Sequence, residues 1–283
     1  MGTNGATIGI DLGGTRMRVG RRDGEGRLIA ERVASPPGAA EGVARLVALA
    51  RRLAPAGIAR VGISAPGPLD LATGVINPLN MPGWRGFPLV AEVARGLGLP
   101  VTSVAMDNDA NVAAFGEWRE GAGRGARTMV YYTVSTGIGS GVIIDGRIHH
   151  GARDTEGGHQ VVWPGGPACE CGGRGCLEAV ASGTAIRKRF GRRAEEIDDA
   201  AVWDEIAGHL AVAMANTATL LCPEVIVLGG GVTAQGERLF APLRRKAAEL
   251  IRLVPTPRIE PAGLGQDSGI VGAIVLAEQS AES

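Results

Sequence analysis

The chain has 283 residues, with 29 Lys and Arg balanced by 29 Asp and Glu, 45% hydrophobic residues and 45 glycines. That length and apolar fraction suit a globular protein of one large domain or two lobes and argue against a disordered chain. A formal charge of zero argues against the basic footprint of a nucleic-acid binder or a membrane-surface protein, and with no long apolar run we expect neither a secretory signal nor a membrane span.

The first apolar run, Thr7–Ile10, stops at Asp11-Leu12-Gly13-Gly14-Thr15, and the strand-like pieces Met17–Gly20 and Arg27–Ala30 follow at hairpin spacing. Gly42–Leu53 carries apolar residues at 43, 46, 47, 50 and 53, which predicts a helix with one apolar face. Arg60–Ser64 reads as a strand broken by Ala65-Pro66-Gly67-Pro68, Leu89–Leu97 as a helix, and Val101–Met106 as a strand ending at Asp107-Asn108-Asp109. A helix then begins at Ala110. Met129–Val134 reads as a buried strand that breaks over Ser135–Gly141 and resumes at Val142–Ile144, before the favoured two-residue turn Asp145-Gly146. Residues 151–180 show little periodicity, and a loop of that length needs a function or a staple. Asp199–Leu221 reads as a long apolar helix, Glu224–Leu228 as a strand running into Gly229-Gly230-Gly231, Glu237–Leu253 as a helix, and Ser268–Gln279 as an amphipathic helix with a small-residue face. Strand, glycine turn, strand occurs once in each half. Two readings stand: a duplicated lobe, or two unrelated glycine hairpins. No low-complexity linker separates the halves, so any boundary is a hinge near Asn108.

Three of the four cysteines cluster at Cys169, Cys171 and Cys176, downstream of His159. One imidazole and three thiolates form a closed tetrahedral set suited to structural zinc, whose binding would help fold a loop poor in secondary structure. The alternatives are a disulfide, strained if it joins Cys169 to Cys171, or three independent core thiols. Cys222, at the end of an apolar helix, is expected in the core. Around Asp11, the amides of Gly13 and Gly14 and the Thr15 hydroxyl can face an anion, with Asp11 placed to hold Mg²⁺ through water. Ser135-Thr136-Gly137-Ile138-Gly139 offers a second such turn, and no GxxxxGK[ST] loop exists. Gly229-Gly230-Gly231-Val232-Thr233-Ala234 formally fits the dinucleotide fingerprint GxGxxA, and equally lets an adenine lie against backbone. Asp109 is either a helix N-cap or a reactive carboxylate. Glu156 and Glu178 are either solvated loop charges or ligands, and a zinc-bound His159 keeps a second ring nitrogen to donate to a ligand oxygen.

Together these pieces resemble the ROK family of sugar kinases and repressors, within the actin-like ATPase fold. The motifs that carry the resemblance are Asp11–Thr15, Ser64–Pro68, Asn108–Asn111, Thr133–Gly139, Glu156–His159 and Cys169–Glu178, and it covers essentially the whole chain. It implies an α/β, ribonuclease H-like fold of two lobes with a central cleft: residues 1–108 plus 268–283 as a small lobe, 109–267 as a large lobe with the zinc loop. The activity implied is ATP-dependent hexose phosphorylation with Asp109 as general base. By the same resemblance Gly67, Asn80, Asn108, Asp109, Glu156, His159 and Glu178 hold the hexose. Asp11, Gly13, Gly14, Thr15, Thr136, Gly137, Gly229, Gly230 and Gly231 hold ATP and Mg²⁺, and His159, Cys169, Cys171 and Cys176 hold Zn²⁺. One departure is Gly157, where a branched apolar residue usually precedes the Gly-His pair.

Asn80-Met81-Pro82-Gly83-Trp84 resembles the loop of glucokinase-like members and favours glucose, phosphorylated at O6, over N-acetylmannosamine or N-acetylglucosamine. The Trp84 ring packs either by the sugar or in ordinary core. Repressor members carry an N-terminal helix-turn-helix, for which a phosphate loop at residue 11 leaves no room, so an enzyme is expected. A dehydrogenase rests on the Gly229 stretch alone. The expected setting is the cytoplasm, as a homodimer acting on a small sugar, without nucleic-acid or membrane partners.

Overall fold

A computed structural model describes residues 5–152 and 154–280, and the chain divides into two compact units, Met1–Gly116 with Asp267–Ser283, and Glu117–Gln266. The boundary expected after residue 108 stands at the start of a helix, α3 below, and the division falls within that helix.

Unit 1 opens with β1 (Ala6–Leu12), β2 (Arg16–Arg22) and β3 (Leu28–Ala34), an antiparallel meander, followed by α1 (Ala39–Leu53) and β4 (Ile58–Ala65). A short hairpin, β5 (Leu69–Asp70) and β6 (Val75–Ile76), leads to α2 (Leu89–Leu97), β7 (Val104–Asn108) and α3 (Asp109–Glu120). The sheet order is β3-β2-β1-β4-β7, with β4 and β7 parallel to β1. Alternation sends Ile8, Ile10, Leu12, Met17, Val19, Val61 and Ile63 to one face, where they pack with Val43, Leu46, Leu49, Ala50 and Leu53 of α1. The other face is covered by α8 (Ser268–Gln279), which approaches so closely that a Cβ at Gly62 would lie 1.8 Å from the Ala273 carbonyl oxygen. Ile270, Val271, Ala273, Ile274, Val275 and Ala277 of α8 are all buried, so the helix is enclosed rather than amphipathic. The strand expected from Val101 begins only at Val104, because the Ser103 amide donates to Pro100 O at 2.9 Å and closes a 3-10 turn first.

Unit 2 holds β8 (Thr128–Val134), β9 (Ile138–Ile144) and β10 (Arg147–Ile148), again antiparallel, then α4 (Leu177–Ala181), α5 (Gly183–Phe190), α6 (Ala200–Leu221), β11 (Val225–Gly229), α7 (Glu237–Leu250) and β12 (Arg258–Pro261). The order β10-β9-β8-β11-β12, with β11 and β12 parallel to β8, repeats the topology of unit 1 strand for strand. Unrelated hairpins would have no reason to be continued by the same two parallel strands, so the shared order favours the reading of a duplicated lobe. Strand β9 starts at Ile138, not Val142: Gly139 and Gly141 pair with Thr133 and Tyr131 in the ladder, which overrides their turn propensity. Asp145 and Gly146 both have positive φ, 51° and 74°, as the tight β9–β10 turn requires. Helix α6 is capped by Asp199, whose side chain accepts from the Ala201 amide at 2.8 Å. Its far end corrects an expectation: Cys222 is the exposed C-cap, with φ 45°, and not a core thiol. Among the described residues no helix is long and apolar enough to cross a membrane.

Candidate functional site

In unit 1 the β1–β2 connection is the turn Gly13-Gly14-Thr15. The Gly13 amide donates to Arg16 O at 3.1 Å and the Gly13 carbonyl accepts from the Ser35 hydroxyl at 2.6 Å, so Gly13 shapes the turn and its amide does not face out as expected. Gly14 and Thr15 are exposed at the tip. Asp11 sits just before it, and Ser64 on the adjoining strand donates to Asp11 Oδ1 at 3.1 Å. Burial holds the Asp11 carboxyl above the ordinary value, against the opposing pull of the Ser64 hydrogen bond and the Arg18 charge. A deeply set carboxylate that resists ionising is suited to a cation, which would supply the missing charge.

At the end of β7, Asp107 is buried, and its Oδ1 accepts from the Asn108 amide at 2.7 Å and from Asn111 Nδ2 at 2.9 Å. Asn108 Oδ1 accepts from the Ala110 amide at 3.0 Å. Asn108, not Asp109, therefore caps α3, and Asp109 is its first residue with an exposed side. Gly67 lies beside this corner: a Cβ there would come within 3.0 Å of Asn108 Nδ2. Asn80 is exposed and precedes Met81, whose Cγ lies near Gly14, so the 80–84 loop adjoins the glycine turn. Trp84 is fully buried against Gly42, and its Nε1 donates to Pro36 O at 3.3 Å. That places the Trp84 ring in core rather than against a ligand.

In unit 2 the turn Ser135-Thr136-Gly137 is closed by the Ser135 amide on Gly137 O at 2.9 Å. Two features that the sequence did not disclose brace it. Glu178 Oε2 accepts from the Ile138 amide at 2.8 Å and lies 2.6 Å from where a Cβ at Gly137 would stand. The first amides of α5 also hold it, Gly183 on Ser135 O at 2.7 Å and Thr184 on Thr136 O at 3.3 Å, with Ser182 capping that helix through the Ala185 amide at 3.1 Å. A serine ahead of Gly-Thr-Ala-Ile is an N-cap signal that could have revealed α5, but Arg187, Lys188 and Arg189 mask its periodicity. Gly229, Gly230 and Gly231 adjoin this turn, since a Cβ at Gly230 would lie 2.4 Å from Val134 O, while above Gly231 there is open space. They lead into a 3-10 turn, Gly231–Gln235, and α7 starts only at Glu237. The dinucleotide fingerprint requires the glycine turn to open directly on a helix N-terminus, so it is not formed here.

The long loop of unit 2 collects the remaining candidates. His159 Nδ1 lies 3.5 Å from Cys169 Sγ, Cys171 Sγ lies 3.7 Å from Cys176 Sγ, and the four donor atoms fall within 4.8 Å of one another. A tetrahedral zinc, with bonds of about 2.3 Å to sulfur and 2.0 Å to nitrogen, gives donor separations of roughly 3.5–3.8 Å, so both measured edges fit. The cysteines are free thiols, which removes the disulfide alternative. Burial, joined by the neighbouring thiols, pushes Cys176 up to about 12, whereas the Gly173 amide chiefly lowers Cys171. At Gly175 a side chain is impossible: φ is +72° and a Cβ would meet Trp163 O at 1.7 Å. The other nitrogen of His159, Nε2, faces Glu156 at 4.0 Å. Partial burial raises the Glu156 carboxyl, with Asp154 and Glu178 adding to the shift and His159 opposing it. Glu156, His159 and Glu178 thus form one electrostatic neighbourhood. Another residue absent from the sequence reading is the fully buried Glu117, which takes the amides of Ala122, Gly263 and Leu264 at 2.8–2.9 Å.

A family model described as the ROK family matches residues 7–280. A glucokinase of Thermotoga maritima is 36% identical over 96% of this chain and 97% of its own length. Among solved structures, a ROK hexokinase from Thermus thermophilus is 35% identical with a TM-score of 0.86, covering 98% of this chain and 99% of that one. A ROK family glucokinase from Streptomyces griseus, solved with glucose and AMPPNP, is 33% identical with a TM-score of 0.80 over 97% of this chain and 100% of that one. The architecture is accordingly the α/β, ribonuclease H-like one of the actin-like ATPases.

Proposed function

The chain belongs to the ROK family, and from that premise we propose that it is an ATP-dependent hexokinase that transfers a phosphoryl group to O6 of glucose, with Asp109 as general base. The observation that carries the reading is its full-length likeness, at 33% identity, to a glucokinase that binds glucose together with an ATP analogue.

Phosphoryl transfer asks the protein for positioning and charge stabilisation more than for covalent chemistry. Asp109, exposed at the start of α3 and backed by the Asp107–Asn108–Asn111 hydrogen bonds, accepts the proton of the attacking hydroxyl. Asn80, Asn108, Glu156, His159 and Glu178 hold sugar hydroxyls, with Gly67 leaving room at the Asn108 corner. Gly14 and Thr15 in one turn, and Thr136 and Gly137 in the other, hold phosphates, and the open side of Gly231 takes the adenosine. Asp11, steadied by Ser64, would hold Mg²⁺, which when bound offsets charge on the phosphates. His159 Nδ1 with Cys169, Cys171 and Cys176 would hold Zn²⁺, which supplies folding energy to the loop carrying Glu156 and His159 and takes no part in the chemistry. We place the enzyme in the cytoplasm, where thiols stay reduced.

A coupled assay with ATP and a panel of hexoses and N-acetylhexosamines tests this. Glucose is expected to give the highest kcat/KM. A higher value for N-acetylmannosamine or N-acetylglucosamine reassigns the sugar, and turnover with none of them sinks the kinase reading. Elemental analysis of the purified chain is expected to find one zinc per protomer, and a metal-free protein with full hexose affinity would refute the scaffold role.

A further inference from the structure

Glu156 and His159 lie on the turn Thr155–Gln160, and this turn is fixed by hydrogen bonds with residues outside it, Ser140, Tyr132 and Asn216. Tyr132 of β8 stands directly opposite Ser140 of β9 in the sheet. The Ser140 hydroxyl accepts from the Gly157 amide at 2.8 Å and donates to Thr155 O at 2.9 Å. Gln160 Nε2 donates to the Tyr132 hydroxyl at 3.1 Å and to Gly157 O at 3.0 Å, and Gln160 Oε1 accepts from Asn216 Nδ2 at 3.3 Å. The Tyr132 hydroxyl shares a buried 2.6 Å hydrogen bond with Thr217 of α6. Packing reinforces the link: a Cβ at Gly157 would lie 2.8 Å from Tyr132 Cε1 and 2.8 Å from Ser140 Oγ. The absence of a side chain at 157 is therefore matched by the tyrosine ring and the serine that fill the space.

We propose that Tyr132 is a positioning residue for sugar binding: its ring and hydroxyl lock the Thr155–Gln160 turn onto β8 and α6, so that Glu156 and His159 are held ready for the hexose. This rests on the reading that those two residues bind the sugar. The phenol is buried with two partners, so its removal takes one of two acceptors from the half-buried Gln160 Nε2 and the bond of the buried Thr217 Oγ1, where an unmet hydrogen bond is costly. The hydroxyl of Tyr132 bonds Gln160 and Thr217, on the Glu156–His159 side of unit 2, so its effect is expected in hexose binding.

The test is steady-state kinetics of the holoenzyme with Tyr132→Phe, Thr217→Val and Gly157→Ala, each checked for zinc content and cooperative melting. Tyr132→Phe is expected to raise KM for the hexose about tenfold, with KM for ATP and kcat within about twofold of the parent. Thr217→Val, which keeps shape and removes the same bond, is expected to move KM in the same direction. Gly157→Ala acts on the same turn, so the Tyr132→Phe/Gly157→Ala double variant should fall short of the summed effects. An unchanged hexose KM in folded Tyr132→Phe and Thr217→Val, or an equal rise in KM for ATP, overturns the proposal. If Tyr132→Phe does not fold, Thr217→Val decides alone. A parent chain that phosphorylates no hexose overturns the underlying reading instead, and the two failures are thereby told apart.

Discussion

The two units share a strand order, yet the glycine turn at the same place in each is supported differently. In unit 1 the turn after β1 is a self-contained hairpin, closed by Gly13 and Arg16, with the Asp11 carboxyl buried beside it and bonded to the Ser64 hydroxyl. In unit 2 the turn after β8 is held from outside, by the Glu178 carboxylate on the Ile138 amide and by the first amides of α5. Beside one turn the acidic group is bonded to a hydroxyl, whereas beside the other an acidic group takes a backbone amide of the turn itself. Identical topology therefore does not imply an identical division of labour between chemistry and scaffolding.

Substitutions sharpen this contrast. The largest effect is expected in unit 1, where Asp109→Ala should lower kcat by about 10²–10⁴ while hexose binding stays measurable by calorimetry; near-parental turnover would remove Asp109 from the role. Next comes Asp11→Asn, expected to lower kcat/KM by about two orders of magnitude and yet to raise Tm. The sign follows from the raised carboxyl: stability associated with it is full below its unfolded value and is lost as pH rises through the folded one. The gain in Tm should thus appear at about pH 8 and vanish near about pH 4, and a lower Tm at the higher pH would contradict the picture of a cation-seeking acid. Glu178→Ala should do the opposite of Asp11→Asn and destabilise the fold by about 1–3 kcal/mol in denaturant melts; an unchanged midpoint would show that the Glu178 contact is no brace. The smallest effect belongs to Ser182→Ala, a loss of about 1 kcal/mol of the same turn's support, read from the same melts.

Much of this was legible because the punctuation is local. Helices α2 and α8 run over the residues that the sequence pattern suggested, Leu89–Leu97 and Ser268–Gln279, and the Cys-His spacing brought four donors together. What the sequence hid depends on long-range partners. Gly139 and Gly141 read as breakers until a neighbouring strand paired them, and Trp84 is core only because Gly42 of α1 leaves room for its ring. Glu117 looks like any helix-surface acid, yet it is buried by a segment 146 residues away. Gly157, out of pattern in its motif, is explained by Tyr132 and Ser140, which no local window contains.

The last helix has a consequence for biosynthesis. The strands of the first sheet, β1 to β4 and β7, come from the first 108 residues, but one face of that sheet is covered by residues 268–279. A ribosome therefore delivers the first sheet long before its cover, and the nascent chain carries an unshielded glycine-lined surface until residues 268–279 have emerged. Unit 2, whose segments all emerge before that helix, is able to mature first, and a chain stopped ahead of residue 268 would strand the older half of the molecule for chaperones to handle.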